Sequence, residues 1–404
     1  MKIAVGVLYT LLPEILLLGV AALLAVHAGA FPSSGQTAVE LGTTAILLAA
    51  LGLSAQFNRS RVFFALLALF SSYLGLFELT RVTDPVVRTS LSGALGLFLP
   101  IDLLLFSGIG ERGVFSRYGS LWFTLLAVEF MACWGMAAFP SPKLAQALHV
   151  EFVHLGMPAL TRLTQPGLLA TSLGLVWLND RLLRRHSAET AAFFGALVAT
   201  VPILHFAPLA AVAPFLAATG LACGYAVVQE SWSMAYLDEL TGLPGRRALE
   251  EQLRQLGGRY AIAMLDVDHF KHFNDRFGHD VGDQVLRFVA SRLQQPALAG
   301  KPYRYGGEEF CMVYGGRGLA EISEELERLR ADIESCRFDL RRGERRGEGT
   351  GPDADGNMLS ITVSVGAAEN NAEHDEPWTV LKAADQALYS AKHAGRNRVN
   401  LGGA

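Results

Sequence analysis

The chain has 404 residues, a formal net charge of -4 and 51% hydrophobic residues, which leaves room for two or three domains. Its charge is unevenly shared: residues 1–228 carry 22 charged side chains and residues 229–404 carry 50. The second part has 22 basic against 28 acidic residues, which excludes a strongly basic nucleic-acid-binding surface. Cys133 and Cys223 lie in apolar runs, Cys311 in a strand-like run and Cys336 near a helix end, so the cysteines read as reduced thiols and not as a disulfide framework.

A membrane-spanning helix needs roughly 20 mainly apolar residues. Residues 3–28, 39–57, 62–79, 86–106 and 119–139 meet that condition, 166–179 meets it weakly, and 191–228 is long enough for two spans broken near Ala207-Pro208. The first segment is too long for a signal peptide and lacks a small-residue cleavage site. Eight spans are expected, with seven as the alternative. Basic loops at 58–61, around Arg112 and Arg117, and at 181–185 fall at every second turn, while 31–37 has no cation. With Lys2 in the cytoplasm, the positive-inside rule then places residue 229 onward in the cytoplasm. Glu14, Glu78, Asp102 and Glu129 lie inside the spans, and His27, His149, His154 and His205 lie at or near their ends. Such groups read either as functional or as interhelical hydrogen bonding and snorkelling. His149 and His154 are five apart, which does not put them on one helical face; a haem or metal site there has no support. Residues 140–165 read as an amphipathic helix on the outer surface.

Residues 229–237 continue the last span as a short helical stalk, too short for a coiled coil. A polar turn at 238–247 leads into a helix through about 256. A buried strand at 260–265 ends in Asp266-Val267-Asp268, and a carboxylate at a strand's carboxyl end is a common position for a metal ligand. Gly282 and Asp283 are expected to open a helix running to 293, where free N–H groups and a carboxylate can read a polar ligand. Residues 303–304 and 310–314 flank Gly306-Gly307-Glu308-Glu309 as a hairpin. The glycines permit a tight turn, and the two carboxylates at its mouth suit a hard cation such as Mg²⁺; alone, the turn reads equally as a solvated hairpin. Helices are expected at 319–335 and 378–393, with one strand at 359–365 between them. Residues 341–357, rich in arginine, glycine and acidic residues, read as a mobile loop.

The stretches DELTGLPGRR, LDVDHFKHFNDRFGHDVGD, RYGGEEF, ITVSVGAA and ADQALYSAKHAGRN follow one another in this order. They resemble the successive motifs of the GGDEF-domain diguanylate cyclases, here as a GGEEF variant, across about residues 236–401. The first half resembles the varied multi-span sensor regions found in front of such domains. The resemblance implies an N-terminal all-α polytopic membrane bundle (1–228), the stalk (229–237) and a catalytic domain (238–404). That domain would be α/β, palm-like and ferredoxin-related, with a central, mainly antiparallel sheet.

The resemblance also implies condensation of two GTP into cyclic di-GMP and two pyrophosphates at a homodimer interface. Two Mg²⁺ ions would serve each active site, with Mn²⁺ as a substitute. Asp266 and Glu308 match the metal-binding carboxylates, and the Val267 carbonyl matches the main-chain ligand. Glu308 also matches the base for the ribose 3′-hydroxyl, and Glu309 could share either role. Asn274 and Asp283 match the guanine-reading pair, and His279 a further substrate contact. Lys271 matches a cation stabilising transition-state charge; Lys392 and Arg396 match phosphate contacts. Phosphoryl transfer depends on such positioning and charge neutralisation. The implied setting is the bacterial inner membrane, in contact with lipid, with an unidentified signal or sensor partner and no nucleic acid. A catalytically silent GTP-binding module or scaffold is the alternative. Two departures stand out: the place of the family's RxxD product site reads Ala297-Leu298-Ala299-Gly300, and Gly245 replaces a usual asparagine.

Overall fold

The apolar runs of the first part fold as helices because a helix satisfies its own backbone polar groups where no water is at hand. They are α1 (Lys2–His27), a 3-10 turn at Ala28–Ala30, α2 (Ser33–Gln56), α3 (Ser60–Leu79), α4 (Pro85–Gly108), α5 (Arg117–Ala138), α6 (Pro142–Leu148), α7 (Gln165–Arg185), α8 (Ala188–His205) and α9 (Leu209–Tyr236). The computed structural model describes residues 2–148, 165–185, 187–205, 209–335, 337–339, 358–371 and 375–402. His149, His154, most of the expected amphipathic segment, the Ala207-Pro208 break, Cys336 and the 341–357 loop therefore lie outside the described residues. The chain divides into two compact units, Met1–Ser231 and Trp232–Ala404.

In the first unit, α4 and α5 start where their sequences supply caps. Asp84 accepts from Val86 N at 2.7 Å and Val87 N at 3.1 Å, with Pro85 at the first helical position. Ser116 accepts from Gly119 N at 3.1 Å; both arrangements satisfy otherwise orphaned donors. Phe64, Leu66, Leu69, Leu99, Leu103 and Phe106 are fully buried between helices. Leu16, Phe130 and Val176 are among the large apolar side chains left exposed on the outside, a surface suited to lipid and costly in water. Six helices among the described residues, α1 to α5 and α9, are long and apolar enough to cross a membrane, and Ala188–Val201 is a shorter apolar helix. The eight expected spans thus exceed the six that length and composition support. The end of α7 carries Asn179, Asp180, Arg181, Arg184 and Arg185, and the Arg184–Asp180 pair at 2.9 Å is exposed.

The second unit contains α10 (Arg246–Gln255), β1 (Tyr260–Val267), α11 (Phe270–Phe277), α12 (His279–Leu293), β2 (Lys301–Gly306), β3 (Glu309–Gly315), α13 (Leu319–Ser335), β4 (Arg337–Asp339), β5 (Met358–Ser360), β6 (Val363–Glu369), α14 (Pro377–His393) and β7 (Val399–Leu401). A five-stranded sheet has the order β2-β3-β1-β6-β7, antiparallel except for the parallel β6–β7 pair. It is an open, mainly antiparallel sheet, as expected.

Period-2 alternation sends β1 side chains to both faces. Ala261, Ala263, Leu265 and Val267 join one core with residues of α12 and α13. Tyr260, Ile262 and Met264 join the other with residues of α10 and α14. Gly366 on β6 lets α14 come close: a Cβ there would lie 1.9 Å from the Leu388 backbone nitrogen. The single strand expected at 359–365 is two strands. β5 pairs with β4 and β6 with β1, and the chain breaks between them at Ile361-Thr362. The reason is a tertiary contact: Thr362 turns its hydroxyl to Asp268 and its carbonyl to the Asp268 N–H.

Candidate active site

Alternation along β1 puts Asp266 on the Tyr260–Met264 face, and alternation along β3 puts Glu309 on the same face as Cys311 and Val313. Asp266 and Glu309 are register partners, so their side chains are neighbours across the strands. Glu308 occupies the turn just before β3, and its carbonyl accepts from Val267 N at 3.3 Å. On the same face, the last turn of α14 delivers Lys392, whose Nζ is 2.7 Å from Asp266 Oδ2. Three carboxylates and one ammonium thus meet at one end of the sheet.

Burial holds the Asp266 carboxyl above its usual range, although Lys392 and, more weakly, Arg396 pull it down. Burial raises Glu308 and Glu309 as well, and the charge of Asp266 adds to both, against Lys392. Such crowding favours any group that brings positive charge.

The turn that carries Glu308 is anchored. Arg304 on β2 donates from Nη2 and Nε to the Gly307 carbonyl at 2.8 and 3.2 Å. Its Nη1 meets both oxygens of Asp238, at 2.7 and 2.9 Å. Asp238 also accepts from the Thr241 N–H and hydroxyl, at 2.9 and 2.7 Å. Burial alone would raise the Asp238 carboxyl, but the Thr241 and Arg304 bonds hold it below the usual range.

After α14 the chain adopts left-handed backbone at Arg396 (φ 61°) and Asn397 (φ 46°), a conformation that costs non-glycine residues roughly 1–2 kcal/mol. Asp268 offsets that cost. It accepts from Asn397 N at 3.0 Å, Thr362 Oγ1 at 2.8 Å and Ser364 Oγ at 2.6 Å. From α13, Arg330 donates to Asn397 Oδ1 at 2.7 Å, and Asn397 Nδ2 donates to Glu334 at 2.7 Å. Asp268 therefore positions Arg396.

A second cluster forms where α11 meets α12. Asn274 Oδ1 is buried without a hydrogen-bond partner among the described residues. Gly282 faces it so closely that a Cβ would lie 1.9 Å from that oxygen. The expectation that Gly282 and Asp283 open a helix needs correction. α12 begins at His279, and Gly282 N already bonds to the Gly278 carbonyl at 3.2 Å. Gly282 is thus an approach surface for Asn274 and not a free donor. Asp283 is half-buried in the second turn.

The structure therefore brings Asp266, Glu308, Glu309 and Lys392 together, with Arg396 within electrostatic reach, and sets Asn274 beside the Gly282-Asp283 step. Val267 ends β1 beside the Glu308 turn. Lys271 and His279 are exposed on α11 and at the start of α12, and neither forms an ion pair with the carboxylates among the described residues. Sequence reasoning gave no role to Asp238, Asp268 or Arg304. All three lie inside the quoted motifs, which was the available signal.

No group of three or more His, Cys, Asp or Glu side chains gathers as a metal-ligand set among the described residues. The carboxylates here are hard oxygen donors with the Val267 backbone beside them. That set suits Mg²⁺, which uses one or two protein carboxylates and completes its shell with water and phosphate.

Residues 235–398 match the family described as diguanylate cyclase, GGDEF domain. Residues 235–398 are a GGDEF domain. Response regulator PleD of Caulobacter vibrioides is 37% identical over 180 residues, covering 43% of this chain and 37% of PleD. Diguanylate cyclase DgcP of Pseudomonas aeruginosa is 40% identical over 184 residues, 43% of this chain and 25% of DgcP. The matches to these relatives thus span less than half of their length. Among solved structures, the coiled coil and GGDEF domain of DgcB from Caulobacter crescentus, in complex with c-di-GMP, is 33% identical. It covers 43% of this chain and 89% of that one, with a TM-score of 0.38. The GGDEF domain here holds all the site residues named above.

Proposed function

We propose that this protein is a membrane-anchored diguanylate cyclase that condenses two GTP into cyclic di-GMP and two pyrophosphates. One observation carries the reading: Asp266 and Glu309 face each other across β1 and β3, beside Glu308 and with Lys392 bonded to Asp266. Asp266, Glu308 and the Val267 carbonyl would hold Mg²⁺, two ions per site. Bound there, the metal supplies charge neutralisation at the phosphates.

The remaining work falls to the chain itself. Glu308 accepts the proton of the ribose 3′-hydroxyl as general base. Lys392 and Arg396 bind phosphate oxygens; Lys271 and His279, exposed on α11 and at the start of α12, reach the substrate only once it is bound. The buried Asn274 oxygen without a donor, with Asp283 nearby, reads the guanine edge. Because one domain presents one GTP, two copies meet to form each product. The residues at 297–300 lack the RxxD pair, so product inhibition through that motif is not expected, and control falls to the membrane unit. The domain lies in the cytoplasm: six and eight spans are both even, so the end of α9 falls on the Lys2 side for either count, and eight also puts the basic loop at 181–185 there.

The test is incubation of full-length protein with GTP and Mg²⁺, with product separated chromatographically, for wild type and Glu308→Gln. The wild type should form cyclic di-GMP, and the variant should lose about 100- to 10,000-fold in rate. GTP binding without product in the wild type would assign the domain to a silent binding module.

A further inference from the structure

The first unit holds a cavity of about 370 Å³ walled by α3, α4 and α5, within the roughly 300–1,000 Å³ range of small-molecule sites. It runs from Val82, in the turn after α3, to Asp102 and Glu129 inside α4 and α5. Leu91 and Leu95 line it, with the rings of Phe98, Phe130 and Trp134. Glu78, Asp102 and Glu129 are in its wall, and no Lys, Arg or His is among the described residues that line it.

Glu78 has its own partner, Arg81, at 3.4 Å in an exposed pair. Asp102 differs. It is 3% exposed, and its Oδ1 has no hydrogen-bond partner among the described residues. A carboxylate in such surroundings is costly unless it is neutralised or paired. Elsewhere in this unit the fold pairs the buried Arg61, whereas both Glu14 oxygens, like Asp102 Oδ1, lack a hydrogen-bond partner among the described residues. Arg61 meets Glu189 at 3.0 Å and donates to the Phe106 and Ser107 carbonyls. At Asp102 and Glu129 the cavity has two acidic side chains, aromatic surface and open volume, and none of the described residues lining it is a cation.

Resting on the reading of this unit as membrane-embedded, we propose that the cavity binds a lipophilic organic cation. Its ammonium head lies against Asp102 and Glu129, and its apolar body lies against the aromatic wall. Aromatic faces attract such a head directly. A divalent metal fits less well, because apolar and aromatic side chains make up most of the wall and leave it few oxygen donors. In the proposed orientation the turn at Val82 lies on the side opposite the basic loops, so the ligand enters from outside the cytoplasm.

Full-length protein in detergent is titrated with benzyltrimethylammonium, with its uncharged isostere neopentylbenzene as competitor, and binding is read by calorimetry without GTP. That readout is independent of cyclase activity. The cation should bind saturably and resist displacement by the isostere. Asp102→Asn and Glu129→Gln should each weaken it by on the order of tenfold or more, the scale of truncating a buried charge partner. Ala137→Trp, at an exposed position on the cavity wall, should block binding with both carboxylates intact. If Asp102→Asn does not fold, Glu129→Gln and Ala137→Trp carry the test. No saturable binding by the wild type, equal displacement by the isostere, or unchanged affinity in the carboxylate variants would overturn the proposal and leave an apolar space for lipid.

Discussion

Two groups of carboxylates in this protein are handled in opposite ways. In the GGDEF domain, Asp266, Glu308 and Glu309 crowd together, and the fold supplies Lys392 at 2.7 Å from Asp266. It also ties their turn down through Arg304 and Asp238. In the first unit, Asp102 and Glu129 line a cavity whose wall has no basic side chain among the described residues. The difference teaches that a buried carboxylate alone says little about function. What matters is whether the fold provides the opposing charge or leaves it to a ligand.

The largest expected effect comes from removing the internal cation. Lys392→Met should lower kcat by about 100-fold, the scale of one preorganised charge-stabilising group, measured as product formed at saturating GTP. A loss under threefold would reduce Lys392 to a solvated helix-end cation and dissolve the contrast with Asp102. Gly282→Ala comes next. The added methyl displaces Asn274, so KM for GTP should rise by about tenfold, within the range for losing a hydrogen bond to a ligand, with kcat much less affected. An unchanged KM would remove Asn274 from substrate recognition.

Arg304→Lys breaks the fork between Asp238 and the Gly307 carbonyl. It should cost about 1.5–3 kcal/mol of stability in denaturant unfolding and misplace Glu308; wild-type stability with wild-type rate would show that the turn holds itself. The pH effects are smaller. Burial and Asp266 raise the Glu308 carboxyl in the metal-free protein, and Lys392 pulls it down. Without Mg²⁺ its titration, followed by NMR, should therefore lie above the usual carboxylate range and move higher still in Lys392→Met; a titration that stays in place would detach Glu308 from this cluster. Asp238 has the opposite sign. Its folded pKa is depressed, so its contribution to stability is present above its unfolded value, near 3.9, and is lost as pH falls through the lower folded one.

Much of this was legible in the chain. Hydropathy divides it into an apolar and a charged part, a continuous apolar run at 260–265 predicts β1, and Asp266 at its end is visible as a candidate ligand. Other features were not. The single strand expected at 359–365 splits because Thr362 serves Asp268, a contact between residues 94 apart. The expected helix start at Gly282 moved to His279 because Gly282 is needed for its missing side chain and not for its N–H. The polar end of α7 weakens the count of eight spans.

By itself the sequence determined what is local: residue types, periodicities and the ordered motifs of a GGDEF domain. Only the tertiary structure decided which charges meet. Strand register set Asp266 opposite Glu309, and close packing at Gly366 brought α14 and its Lys392 to that sheet end. In the first unit, helix packing left Asp102 beside open volume lined by no cation among the described residues. Electrostatic energy depends on the distance and medium between charges, and long-range packing sets both.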